Sequence, residues 1–317
     1  MTLDELESAA AIVYRSIAPT PQYAWPQLAR LTCAARVWVK HENHTPVGAF
    51  KVRGGLVYFD ALSAGGRKPA GVIGATRGNH GQSIGFAAAR YGIPAAVVVP
   101  HGNSVAKNLA MRALGVELIE EGDDFQASLE AAERIAGERG WHLVPSFDPL
   151  LVKGVATYAL ELFRAVPDLD TVYVPIGLGS GICGTIAVRD ALNLRTRVVG
   201  VVAAAAPAYA RSLASGRIES HDSMTRIADG LACRTPVPEA LDIISRGAER
   251  IVEVSDDEIE RAMRAIFDAT HSVAEGAGAA AVAALCSDVE RVRGRRVGVV
   301  LTGGNVDRDL FARVMSA

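Results

Sequence analysis

Six short runs rich in β-branched residues, separated by segments of helical periodicity, constrain this chain more than any other feature. The runs are AGVIGA (70–75), AAVVVP (95–100), VELIE (116–120), TVYVPI (171–176), RVVGVVAA (197–204) and VGVVLT (297–302). Amphipathic stretches lie between them at 81–92, 104–115, 123–140, 182–193 and 251–270, the last opening with a strand end and an acidic cap. A strand followed by a helix cannot be half of a tight hairpin. The helix is the crossover that parallel strands require, and it covers one face of the sheet. The expected class is α/β, with open, mostly parallel twisted sheets flanked by helices. A helix over 3–16 capped at Thr2 and a short strand over Arg36–Lys40 extend the pattern. The stretch VGAFKVRGG (47–55) enters a helix that Gly65 and Gly66 end. Pro145, Asp148 and Pro149 mark a crossing that divides the chain into two α/β stretches near residue 148.

Composition removes several function classes. With 50% hydrophobic residues, 21% charged residues and a net charge of −2, the chain reads as globular, without the basic footprint of a nucleic-acid binder. Arg293, Arg295 and Arg296 read as a solvated turn before the last strand. No window offers about 18 uninterrupted apolar residues, so no membrane span is expected. The start, MTLDELESAAAIVYRSI, lacks the basic and then apolar order of a secretory leader. Cys33, Cys183, Cys233 and Cys286 show neither C-x-x-C nor zinc spacing, which suits free thiols in a reducing cytoplasm.

Ligands of open α/β sheets sit beyond the carboxyl ends of the strands. Three unusual segments fall there: Thr76-Arg77-Gly78-Asn79-His80-Gly81-Gln82, Gly177-Leu178-Gly179-Ser180-Gly181 and Thr302-Gly303-Gly304-Asn305. The 177–181 turn can aim several backbone N–H groups at one anion just before a helix, which suits a phosphate. No Gly-Lys-Ser/Thr follows, so it is not a P-loop. Gly179 to Gly184 has the glycine spacing of a dinucleotide fingerprint, but VVGVVAAAA (198–206) offers no carboxylate for a ribose about 20 residues on. A dinucleotide-binding protein is the competing reading from another class. The 76–82 turn can hold a carboxylate through backbone N–H groups and the Thr76 hydroxyl, with Asn79 donating to a cofactor oxygen. It can equally be a capped turn with His80 packed in the core, and for His80 that is the preferred reading. Lys51 lies between Phe50 and the glycines of Val52-Arg53-Gly54-Gly55. Partial burial there would help the amine lose its proton, as a Schiff-base lysine must.

In order and spacing, these segments resemble the fold-type-II pyridoxal-phosphate (PLP) enzymes, specifically the threonine dehydratase and serine racemase family. That family carries S-F-K-x-R-G, S-x-G-N-H-x-Q, a tetraglycine loop and a final strand ending S/C/T-G-G-N. Here they read A-F-K-V-R-G, T-R-G-N-H-G-Q, G-L-G-S-G and T-G-G-N. Thr20-Pro21, the 154–157 stretch GVAT, the 227–230 stretch IADG and the glutamate of VAEGAG (273–278) match further family motifs, so the likeness spans nearly the whole chain.

The resemblance implies a tryptophan synthase β-like fold with a large PLP-binding domain (1–46 plus 148–317) and a small mobile domain (47–147). It implies PLP held by Lys51, with Phe50 against the ring and the phosphate on Gly177, Leu178, Gly179, Ser180 and Gly181. Asn79 would meet the ring hydroxyl and Thr302 the pyridine nitrogen. Glu275 is read either as a residue near the ring face or as a helix N-terminal acid. Thr76, Arg77, Gly78, Asn79 and His80 would form the substrate loop. The implied activity is a lyase reaction that turns a β-hydroxy amino acid of the L-threonine or L-serine type into a 2-oxo acid and ammonia, in a cytoplasmic homodimer or higher homo-oligomer.

Departures from the family pattern keep other substrates and activities in view. Arg77 replaces a second serine that racemases keep, which disfavours serine racemase-like activity and admits a bulkier or acidic substrate. Examples are 3-hydroxyaspartate, 3-phenylserine or a hydroxyectoine-pathway intermediate. Ala49 replaces serine and Val202 replaces a glutamate. Thr225 replaces the glutamate of metal-binding members, so no metal site is expected, and Asp229 alone would favour a divalent cation. At 317 residues the chain is expected to lack the regulatory domain of the biosynthetic threonine dehydratases.

Overall fold

A computed structural model describes residues 1–64, 66 and 68–317. It contains two sheets. In the six-stranded sheet the order is Gln22–Ala24, Arg36–His41, Arg296–Leu301, Thr171–Pro175, Arg197–Ala203, Arg250–Val254. All neighbours are parallel except the first pair. In the four-stranded sheet the order is Glu117–Glu120, Ala95–Val99, Val72–Ala75, His142–Leu143, parallel throughout. Strands Ala95–Val99 and Thr171–Pro175 are buried along their whole length, as expected where helices cover both faces.

Several helices begin or end where local chemistry directs. Thr2 and Glu5 form a reciprocal capping box, as do Ser255 and Glu258. Gly92 and Gly140 end their helices in the left-handed conformation. Helix Lys51–Ser63 ends at a cap on Ala64, and of the two glycines expected to end it, Gly65 lies outside the described residues. Two helices start two residues earlier than their periodicity suggests. Asn79 and Ser180 are first-turn residues of Asn79–Tyr91 and Ser180–Ala191, which points free N–H groups of both helices at one cleft.

The crossing near residue 148 is itself the start of a long helix, Pro149–Ala165, capped by the Asp148 side chain with proline in its first turn. It crosses Lys51–Ser63 so closely that a Cβ on Gly154 would come within 2.2 Å of the Arg53 carbonyl oxygen, and one on Gly54 within 2.7 Å of the Leu151 carbonyl oxygen. Only glycine at both positions lets the two backbones approach this far. Among the described residues, no helix is long and apolar enough to cross a membrane.

Candidate active site

Lys51 opens its helix at the junction of both sheets. The Phe50 N–H donates to the Thr302 carbonyl (3.0 Å), and Ala49 forms an isolated bridge with Gly303, so the end of the last strand fixes the chain just before the lysine. Lys51 Nζ lies 3.2 Å from Ser180 Oγ and 5.3 Å from the centroid of the Phe50 ring. No carboxylate reaches it among the described residues. Burial without a counter-charge lowers its pKa from 10.5 to about 8.

The turn after Lys51 is held from behind. Arg53 is fully buried, and its guanidinium donates to Glu42 (2.7 and 3.0 Å), Glu161 (2.6 and 2.9 Å) and Thr157 (2.9 Å). Burial disfavours this cation, but the two carboxylates outweigh it and keep the proton on. Glu161 also accepts from Lys40 (2.5 Å). A buried charge with this many partners is locked in place, and so is the helix start two residues away.

Facing Lys51, the segment Gly177–Gly181 turns into its helix through Gly179, whose φ of +100° an L side chain rarely adopts. The backbone N–H groups from Gly177 to Ile182 have no acceptor among the described residues. They converge with the helix N-terminus on the cleft.

On the third side, the Thr76 hydroxyl accepts from the N–H groups of Gly78 (2.9 Å) and Gly81 (3.3 Å), so the loop is a capped turn. The N–H groups of Asn79 and His80 stay without an acceptor among the described residues. His80 is buried, as its core reading required. Burial and the neighbouring Lys51 charge lower its pKa to about 3, so the ring is neutral. The Asn79 side chain donates to Glu275 Oε1 (2.6 Å) and accepts from Asn305 (2.9 Å). Glu275 is 2% exposed and stands at the N-cap position of its helix without a capping hydrogen bond from its side chain, while it also borders the cleft, so its position suits both of its readings. Its other oxygen forms an ion pair with Lys107 Nζ at 3.0 Å. Lys107 Nζ in turn lies 2.6 Å from Asp229 Oδ2. Burial disfavours the Lys107 cation, but Glu275 and Asp229 more than compensate and hold its proton on.

Lys51, the 76–80 loop, the 177–181 segment, Lys107, Asp229 and Glu275 line one cleft, together with Thr302. Every site residue expected from the sequence borders it. Lys107, Phe125 and Ser146 also line it and carried no local signal. Asp229, the one residue considered for a cation, already faces an ammonium, while the Thr225 hydroxyl is turned to Asp256 (2.7 Å). Among the described residues, no group of three or more His, Cys, Asp or Glu side chains is placed to hold a metal.

Residues 13–303 match the family described as pyridoxal-phosphate dependent enzymes. The chain belongs to that family. It is 32% identical over 317 residues to the L-threonine ammonia-lyase of Thermotoga maritima, covering 100% of this chain and 78% of that relative. Its fold matches the T.th. threonine deaminase with a TM-score of 0.89 at 30% identity, covering 97% of this chain and 99% of the other. It also matches maize serine racemase with a TM-score of 0.91 at 26% identity, covering 99% and 97%. The cofactor of a pyridoxal-phosphate enzyme is PLP, and the residues present fit it: unpaired N–H groups for a phosphate, and an uncompensated amine in the same cleft. The two-sheet α/β architecture is that of the fold-type-II members.

Proposed function

We propose that the chain is an ammonia-lyase that converts L-threonine or L-serine into the corresponding 2-oxo acid and ammonia. The observation that carries this is Lys51, a half-buried amine without a counter-charge, opposite unpaired backbone N–H groups and beside a loop that can hold a carboxylate. The names of the similar proteins, L-threonine ammonia-lyase and threonine deaminase, support the same reaction class.

Bound PLP supplies an aldehyde carbon for an amine and a conjugated ring that delocalises charge from a substrate α-carbon. Lys51 Nζ would hold the cofactor and serve as the base for the substrate α-proton. Ser180 Oγ orients that nitrogen. The N–H groups of Gly177, Leu178, Gly179, Ser180 and Gly181 hold the phosphate, and Phe50 packs beside the ring. The Thr302 hydroxyl serves the pyridine nitrogen without the charge that a carboxylate there would add. Asn79, held by Glu275 and Asn305, keeps one amide hydrogen for the ring hydroxyl. The N–H groups of Asn79 and His80 and the hydroxyl proton of Thr76 bind the substrate α-carboxylate, with Gly78 shaping the loop. Lys51 passes the α-proton on as the β-hydroxyl departs, so the two leave as water, and the enamine released then tautomerises to an imine that takes up one water and gives the 2-oxo acid and ammonia.

The same reading assigns 47–147, which contains the four-stranded sheet, to a small mobile domain, and 1–46 with 148–317 to a large cofactor-binding domain. A homodimer or higher homo-oligomer in the cytoplasm completes it, and four free cysteines support that compartment. The test is 2-oxo acid release from L-threonine and L-serine by the PLP-loaded protein. Absence of product from any β-hydroxy amino acid would overturn the proposal.

A further inference from the structure

Five charged side chains line the cleft: Lys51, Arg77, Lys107, Asp229 and Glu275. Four have an assignment. Lys107 meets both carboxylates, at 2.6 and 3.0 Å, and Lys51 belongs to the cofactor in the function proposed above. Arg77 is left over. It is half-buried and makes no ion pair or side-chain hydrogen bond among the described residues. An arginine keeps its charge at any physiological pH, and its planar fork matches a carboxylate. A half-buried arginine that lines a ligand cleft without an internal acid is therefore available to an acid brought by the ligand.

The α-carboxylate of an amino acid does not require it. The first-turn N–H groups of Asn79 and His80 have no acceptor among the described residues, and the Thr76 hydroxyl still has its proton to donate. Arg77 stands two residues before Asn79 and borders the same cleft. Cofactor phosphate does not require it either, given the unpaired N–H groups from Gly177 to Ile182.

We infer that Arg77 is a specificity-determining residue that recognises a second carboxylate, extending the substrate range to acidic β-hydroxy amino acids. This rests on the dehydratase reading above. With 3-hydroxyaspartate, the α-proton and the β-hydroxyl depart as water. The resulting imine takes up one water and releases ammonia, so the net reaction is 3-hydroxyaspartate to oxaloacetate and ammonia. No oxidant or co-reactant enters.

The test uses the holoenzyme and two measurements. The first is the dissociation constant of L-aspartate against that of L-asparagine, read from perturbation of the cofactor absorption. The two ligands are nearly isosteric and differ in charge. Aspartate is expected to bind about tenfold to a hundredfold more tightly, the worth of one charged hydrogen-bonded contact. Arg77→Gln should remove that preference, and Arg77→Lys should restore part of it. The second is kcat/KM for 3-hydroxyaspartate, L-serine and L-threonine, where Arg77→Gln should cost the acidic substrate about tenfold more than the neutral ones. Equal binding of aspartate and asparagine, or a uniform loss across all three substrates, would overturn the inference and leave the lyase standing. No 2-oxo acid from any of the three would instead overturn the lyase reading.

Discussion

Lys51 Nζ and Ser180 Oγ stand 3.2 Å apart, although 129 residues separate them in the chain. The contact joins the start of one helix to the start of another, and it sets an amine of lowered pKa beside a cradle of unpaired N–H groups. Replacing Lys51 with alanine should abolish lyase turnover and covalent PLP attachment while leaving the far-ultraviolet circular dichroism unchanged. Turnover near that of the unmodified protein would refute the assignment of the lysine. The lowered pKa has its own signature. The neutral amine is the reactive form, so reconstitution of the apoprotein with PLP should speed up with rising pH and level off above about 8, not above 10.5.

Gly179→Asp should strip the protein of cofactor. A Cβ there would meet Ala240 Cβ at 2.8 Å in a backbone conformation that L residues avoid, and the carboxylate would repel a phosphate. PLP content after dialysis measures the effect. Gly179→Ala isolates the steric part and should retain more cofactor.

Lys107→Met should destabilise the fold by about 3 kcal/mol, because it leaves Glu275 buried without its counter-charge. The loss stays near the low end for a broken buried pair because the Asp229 side chain keeps 34% exposure. Adding Glu275→Gln to Lys107→Met should recover part of it. Urea denaturation of the two variants checks both statements, and equal stability of the two would contradict the argument.

Elimination should greatly exceed racemisation. Arg77 borders the cleft where a racemase of this family keeps a serine, and a permanently charged guanidinium is a poor proton donor at neutral pH. Pyruvate and D-serine formed from L-serine are the quantities to compare. D-serine as the main product would reverse the conclusion.

The amino-acid sequence alone determined what depends on neighbours along the chain. β-Branched runs ended by turn residues specified the strands, the glycines from Gly177 to Gly181 specified a tight turn ahead of a helix, and the Phe50-Lys51-glycine context marked Lys51 as a candidate. The helix Pro149–Ala165 was also within reach, since Asp148 and Pro149 are a cap and a first-turn proline. They read as a crossing because turns use the same residues. Tertiary structure decided the rest. Lys107 carries no local signal, because its partners Asp229 and Glu275 lie more than a hundred residues downstream. The same holds for the side chains that engage Asn79, for the ammonium that faces Asp229, and for Arg77 having no internal acid. Whether a charge is paired depends on which distant elements the fold brings within about 4 Å of it, a distance that local periodicity does not encode.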